Sequence, residues 1–231
     1  MSIRKEIEAI EKEDPLKVAK AMAMRKARTT SVLKDFFPSL ELPEAVTKPQ
    51  LGFIHAYTGE GKGKTTASLG LTIRALGAGY RVAFLQFDKG YHGVEHYSER
   101  NVLRQLPNLT LIPTGCERIK SDGRFRFGNT EEDYAEAQRG LDEARSIILG
   151  KEHDVIILDE LLSAIKYGLI KKEEAMALIA LHKEHGQNSE LVITGHGLPP
   201  EIREQVDLIT EMQNQRHYYQ KGFIARKGID F

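Results

Sequence analysis

The chain has no tryptophan and a single cysteine, Cys116, among its 231 residues. One cysteine excludes an internal disulfide, and a lone thiol is more often a small filler than a nucleophile. A reducing compartment, the cytoplasm, is the expected location. No stretch approaches the ~20 apolar residues needed to cross a bilayer. The opening MSIRKEIEAIEKEDP alternates charges and lacks the apolar run of a signal peptide. Excess charge is missing too: Lys plus Arg and Asp plus Glu number 33 each, so no global field draws the chain to nucleic acid or to an anionic membrane. There is no GxSxG elbow and no cysteine–histidine arrangement to argue for acyl transfer. His92 with His96, and His182 with His185, stand at helical spacing without a third ligand nearby, a pattern of solvated faces rather than of a structural metal site.

What is present is an alternation of short apolar runs and helical stretches. LGFIHAY (51–57), RVAFLQF (81–87), LTLIP (109–113), DVIILDE (154–160) and ELVITGHG (190–197) read as strands. TASLGLTIRALGAG (66–79), EEDYAEAQRGLDEARSIIL (131–149) and KKEEAMALIALHKEHG (171–186) read as helices, the second with Tyr134, Ala137, Leu141 and Ile148 on one side. A short helix after Pro199 or Pro200 leads to DLITEM (207–212), and a small closing strand is expected near GFIAR (222–226). The 154–160 run is apolar throughout, as in a strand covered on both faces. Alternating βα units predict an α/β fold, a mostly parallel central sheet flanked by helices in three layers. Residues 1–50 differ: helical spacing of Ile3, Ile7 and Ile10, a basic stretch from Lys17 to Lys34, then Pro38, Pro43 and Pro49. They read as a helical N-terminal arm and connector, a solvated arm or one that covers an anionic ligand. Residues 51–231 read as the α/β domain.

Between the first strand and the first helix lies TGEGKGKTT (58–66). Glycines at 59, 61 and 63 let the backbone curl so that several N–H groups face one anion, and the following helix adds its positive dipole end. Lys64 would reach the outer phosphates and Thr65 would ligate Mg²⁺. The generic pattern is GxxxxGK[ST]; here Thr58 stands at its first position, and counting from Gly59 leaves one residue too few. The strand VIILD ends at Asp159 and is followed by Glu160, where a Walker B carboxylate belongs, so metal or water coordination is favoured over simple helix capping. Ligand groups of a parallel sheet collect at strand carboxyl ends, which adds Gln86, Asp88, Lys89, Thr194 and His196 as candidates. At this point a phosphoryl-transfer enzyme, an ATPase and a nucleotide-dependent partner switch all fit.

The motif order narrows the field. TGEGKGKTT with Arg74 nine residues beyond Thr65, then QFDKG, LDE at 158–160, ITG at 193–195, DLITEM and the closing GFIARKGIDF together resemble the P-loop ATP:corrinoid adenosyltransferases. The likeness spans about residues 51–231, and that family's loop also carries a non-Gly first position. The resemblance implies a P-loop NTPase (RecA-like) fold. It implies transfer of the 5′-deoxyadenosyl group of ATP to the Co(I) of cob(I)yrinic acid a,c-diamide or cob(I)alamin, with release of triphosphate. It implies that Thr58, Gly59, Glu60, Gly61, Lys62, Gly63, Lys64, Thr65 and Thr66 surround the triphosphate, and that Arg74 contacts the nucleotide. It further implies that Thr65 and Glu160, with Asp159 beside them, hold Mg²⁺ or Mn²⁺, with Lys64 and Glu160 as the catalytic pair. A homodimer and a reductase that supplies Co(I) are implied partners. Three features depart from the pattern. The family's GFTW-like aromatic segment is replaced by TGCERIKSDGRFRFGNT, where Phe125 and Phe127 are the available aromatics; TGRG becomes TGHG, putting His196 on the corrinoid side; and residues 1–50 do not obviously match the family's shorter N-terminal helix.

Overall fold

A computed structural model describes residues 51–90, 95–118 and 126–231; the expected arm at 1–50, Phe125 and His92 lie outside them. Six strands form one sheet: β1 (Ile54–Thr58), β2 (Val82–Gln86), β3 (Leu109–Pro113), β4 (Val155–Asp159), β5 (Glu190–Thr194) and β6 (Leu208–Glu211). Their order is β3-β2-β4-β5-β1-β6, and every pairing is parallel. The helices are α1 (Lys64–Gly77), α2 (Arg100–Leu103), α3 (Glu131–Gly150), α4 (Leu161–Lys166), α5 (Lys172–His185) and α6 (Pro200–Arg203). This is the expected three-layer P-loop α/β architecture.

Burial explains the strand composition. All five residues of β2 and of β4 are buried, because both faces of the sheet are covered. Ala83, Leu85, Ile156 and Leu158 pack with Ala137, Leu141 and Ile148 of α3 and with Leu178 and Ile179 of α5. The alternate residues Val82, Phe84, Val155 and Ile157 pack with Ala75 of α1 on the other face. Each fully buried Val, Leu, Ile or Phe among them contributes roughly 1.5–3 kcal/mol. Helix α3 starts on a reciprocal cap: the Thr130 hydroxyl accepts from the Asp133 N–H, and the Asp133 carboxylate accepts from the Thr130 N–H.

Four local readings change. His182, expected on a solvated face, is completely buried, its Nε2 2.8 Å from Ser189 O. GFIAR is not a strand; a 3₁₀ turn at Tyr218–Lys221 leads through left-handed Gly222 into a segment folded on itself by Arg226 and Asp230, so the sheet ends at β6. Helix α4 was hidden because the apolar β4 runs into it after Glu160 alone, leaving no polar break to mark the change of period. Tyr134 is half exposed rather than inward: the buried face of α3 runs through Asp133, Ala137, Leu141 and Ile148 and leaves it out.

Candidate active site

Parallel strands present all their carboxyl ends on one edge, and the candidate residues meet there. Loop 58–66 leaves the buried Thr58 at the end of β1 and enters α1 at Lys64. Its curl presses on the chain after β6: the Gly61 N–H donates to Met212 O at 2.6 Å, and the Met212 N–H donates to Thr58 O at 2.8 Å. Gly59 has φ 100°, and a Cβ there would stand 2.4 Å from Met212 O, so no side chain fits. The Lys64 ammonium is folded over the loop and donates to the carbonyls of Gly59 at 2.9 Å and Gly61 at 2.8 Å. Burial lowers its pKa, against the pull of Glu160, Glu60 and Asp159.

Asp159 is fully buried at the end of β4 and collects four donors. Thr194 Oγ1 donates at 2.7 Å, Thr65 Oγ1 at 3.0 Å, Gln86 Nε2 at 3.4 Å and Lys89 Nζ at 2.7 Å. Burial opposes the ionised carboxylate, yet the Lys89 charge and these hydrogen bonds hold its pKa below the usual range. Glu160 adopts a left-handed φ of 63°, its N–H donates to Thr194 Oγ1 at 3.0 Å, and its carboxylate accepts from Ser163 Oγ. Its other oxygen, Oε1, faces Lys89 at 3.9 Å. The sequence reading proposed Thr65, Asp159 and Glu160 as a set, and the fold brings them together. Their hydroxyl and carboxylate oxygens are the donor chemistry that suits Mg²⁺. Among the described residues no group of three His, Cys, Asp or Glu is assembled for a metal.

The remaining candidates divide. Lys62 and Thr66 are exposed beside a cleft of about 520 Å³, which Thr65, Leu69, Lys89, Tyr97, Glu160 and Phe231 also line. Glu60 points away from the loop, receiving Lys166 Nζ at 3.0 Å. His196 follows Gly195, whose φ is 138° and whose Cβ would stand 2.4 Å from the Ser163 nitrogen. The His196 N–H donates to Ser163 Oγ at 2.9 Å and its ring lies 3.3 Å from Glu60, while burial, then Lys64, lowers the imidazole pKa. Asp88, just past β2, accepts from Arg118 at 2.9 Å. Arg74 is not brought to the loop. It sits exposed in the last turn of α1, ten residues past Lys64, about 15 Å along the helix at 1.5 Å per residue. Phe127 is 87% exposed.

Several site residues escaped the sequence reading. Arg100 is completely buried; it donates to Gln86 Oε1 at 2.7 Å and to Lys89 O at 2.6 Å, and lies over the Tyr97 ring at 4.4 Å. Nothing in its local sequence marks it. Ser163 had a signal, three residues past Glu160 on a helix. The closing segment was recognised as a motif, but its placement was not anticipated: Lys62 Nζ donates to Ile229 O at 2.9 Å and stands 3.3 Å from Asp230, and Phe231 stacks on His96 with ring centroids 4.3 Å apart.

Known proteins resemble this chain over most of its length. The family model described as "ATP:corrinoid adenosyltransferase BtuR/CobO/CobP" matches residues 50–231. The Corrinoid adenosyltransferase of Escherichia coli K12 is 31% identical over 189 residues, covering 81% of this chain and 89% of that protein. The Pseudomonas aeruginosa PAO1 protein of that name is 28% identical, covering 81% and 87%. The Sinorhizobium protein of that name is 27% identical over 225 residues, covering 97% of this chain and 96% of that one, so its alignment enters the first 50 residues. Among solved structures, the flagellar accessory protein FlaH of Methanocaldococcus jannaschii aligns over 70% of this chain and 71% of its own at 17% identity and a TM-score of 0.46. With a family model covering residues 50–231 and the loop, LDE and closing motifs all inside that span, the chain belongs to the ATP:corrinoid adenosyltransferase family.

Proposed function

We propose that this corrinoid adenosyltransferase uses the 58–66 loop to grip triphosphate as a leaving group rather than to transfer a phosphoryl group. In that reaction the Co(I) lone pair of the corrinoid substrate attacks the ribose C5′, the C5′–O bond breaks, and the electron pair leaves with triphosphate. The cobalt is the nucleophile, so the protein's task is to orient C5′ and to neutralise the departing charge. Lys64 and the loop N–H groups take the phosphates. Thr65, Glu160 and Asp159 would hold Mg²⁺, with Asp159 also accepting from the Thr65 hydroxyl. Bound there, the ion would supply positive charge to the leaving triphosphate.

The observation that carries this reading is the convergence of Lys64, Thr65, Asp159 and Glu160 at one sheet edge in a chain of this family. On the other side of the reaction, His196 and the segment containing Phe125 and Phe127 face the corrinoid. A separate reductase delivers Co(I), and the working form is a cytoplasmic homodimer. Product analysis tests the chemistry: ATP with a reduced corrinoid yields an adenosylated corrinoid and intact triphosphate. ADP and orthophosphate without a cobalt–carbon bond would sink the reading in favour of an ATPase or kinase.

A further inference from the structure

The roles assigned so far leave Lys89 unexplained. Its ammonium lies 2.7 Å from Asp159 Oδ2, donates to Thr65 Oγ1 at 3.1 Å and stands 3.9 Å from Glu160 Oε1. Those are the three residues proposed to hold the divalent cation, and one ammonium touches or faces all of them. The backbone around it is pinned. The Lys89 N–H donates to Thr114 O at 2.8 Å, and the Lys89 carbonyl accepts from buried Arg100 at 2.6 Å. Only the four-carbon stem is left to rotate, and it opens into the cleft beside α1.

A positive group in that position has a physical reason. Asp159 is sealed from solvent, and an ionised carboxylate there without a counter-charge is strongly disfavoured. The chain therefore needs an internal cation to fold before any nucleotide arrives. An ammonium and a divalent ion cannot share one seat, because like charges at a few ångströms inside a protein repel strongly. The two must exchange.

We propose that Lys89 is a resident placeholder: its ammonium fills the seat formed by Thr65, Asp159 and Glu160 until Mg²⁺ enters, and is then expelled into the cleft. The proposal rests on the metal role given above to those three residues. It makes the free ion a weak ligand, so that Mg²⁺ loads together with ATP, whose phosphates supply the extra attraction. The expelled ammonium stays on the cleft wall as a further positive charge.

Electron paramagnetic resonance of Mn²⁺ without nucleotide tests this. Lys89→Met, which keeps the stem and removes the charge, should bind Mn²⁺ at least about tenfold more tightly than the parent chain. Adding Thr65→Ala or Glu160→Gln to it should reverse the gain, and Lys89→Arg should stay at the parent affinity. If Lys89→Met folds poorly, millimolar Mn²⁺ should restore its unfolding transition, and a variant that Mn²⁺ cannot restore overturns the proposal. Unchanged Mn²⁺ affinity in Lys89→Met also overturns it. In that case the metal role survives provided Thr65→Ala and Glu160→Gln still weaken Mn²⁺ in the complex with ATP; if they do not, the metal role itself fails.

Discussion

The two sides of the carboxyl edge are built on different principles. On the loop side, polar groups are drawn into the core: Thr58, Lys64, Gln86, Asp159 and Thr194 are all buried, supplied by the ends of four strands and the start of α1. On the side of β3 and α3, guanidinium groups fasten loops from outside. Arg118 donates to Asp88 and to the carbonyl of Gly128, and Arg126 clamps Asp133 at 2.6 and 2.7 Å, while Phe127 projects into solvent. The first kind of construction gathers the charges of the site inside the fold before a phosphate arrives, tied to loop carbonyls and to each other. The second fixes a backbone and leaves the Phe127 ring exposed.

The contrast predicts unequal responses to similar mutations. Lys64→Ala should give the largest effect, a fall in triphosphate release of about 10²–10³, the usual cost of removing one preorganised charge partner. Its neighbour Lys62, exposed and engaged by the closing segment, should lose only a few-fold on the same change. Steady-state assays of both variants check this, and equal losses would erase the distinction between buried and exposed loop lysines.

Next in size is Asp133→Asn, which attacks the other side. Asp133 accepts from both Arg126 nitrogens and from the Thr130 N–H at 2.8 Å, so its loss should cost about 1–3 kcal/mol of stability at neutral pH. The Arg126 hydrogen bonds, then the Thr130 cap, hold its pKa well below the usual carboxylate range. A depressed folded pKa gives stability that is present above the ordinary value of about 3.9 and lost as pH falls toward the folded value. Denaturant unfolding of parent and variant should therefore show a gap that is full at neutral pH and narrows below about pH 4. A gap independent of pH would mean that the clamp acts through shape and not charge.

The same division explains what was legible in the sequence. The loop, LDE and QFDKG were readable because backbone geometry and phosphate chemistry force particular residues into adjacent positions. The parallel sheet was readable because strands buried on both faces, such as VIILD, must be apolar throughout. Arg100 and Arg118 were not, since each acts on a partner at the end of a distant strand, and Arg126 was not, since its partner Asp133 lies across a turn in the first turn of α3 at no regular spacing. GFIAR was misread as a strand because its β-forming residues looked pairable, whereas Arg226 and Asp230 close it on itself beside the loop. Arg74 shows another limit: the resemblance links it to the nucleotide, and the helix sets it in the last turn of α1, away from the phosphate loop, so a contact there would be with another part of the nucleotide.

Smaller effects follow from Phe127. Phe127→Ala should raise KM for the corrinoid a few-fold and leave ATP binding unchanged, because a ring 87% exposed offers stacking area to a second substrate. Coupled loss of ATP affinity would show that the two sides are one unit.

The smallest expected effect concerns Cys116, and it tests whether the outer side is closed in solution. The thiol is buried between the end of β3 and the start of α3. Burial, then the charges of Glu132 and Asp133, pushes its pKa up to about 11. The thiolate is the reacting form, so at pH 8 it should make up only about one part in a thousand, against roughly a quarter for a free cysteine of pKa 8.5. Alkylation by iodoacetamide should then be some hundredfold slower than for a free thiol and should climb steadily as pH is raised toward 11. Asp133→Asn should quicken it only slightly, since burial is the main cause. Rapid alkylation at pH 8 would mean that the arginine-fastened side opens on the timescale of labelling, and the contrast with the buried phosphate side would then be one of motion as well as of construction.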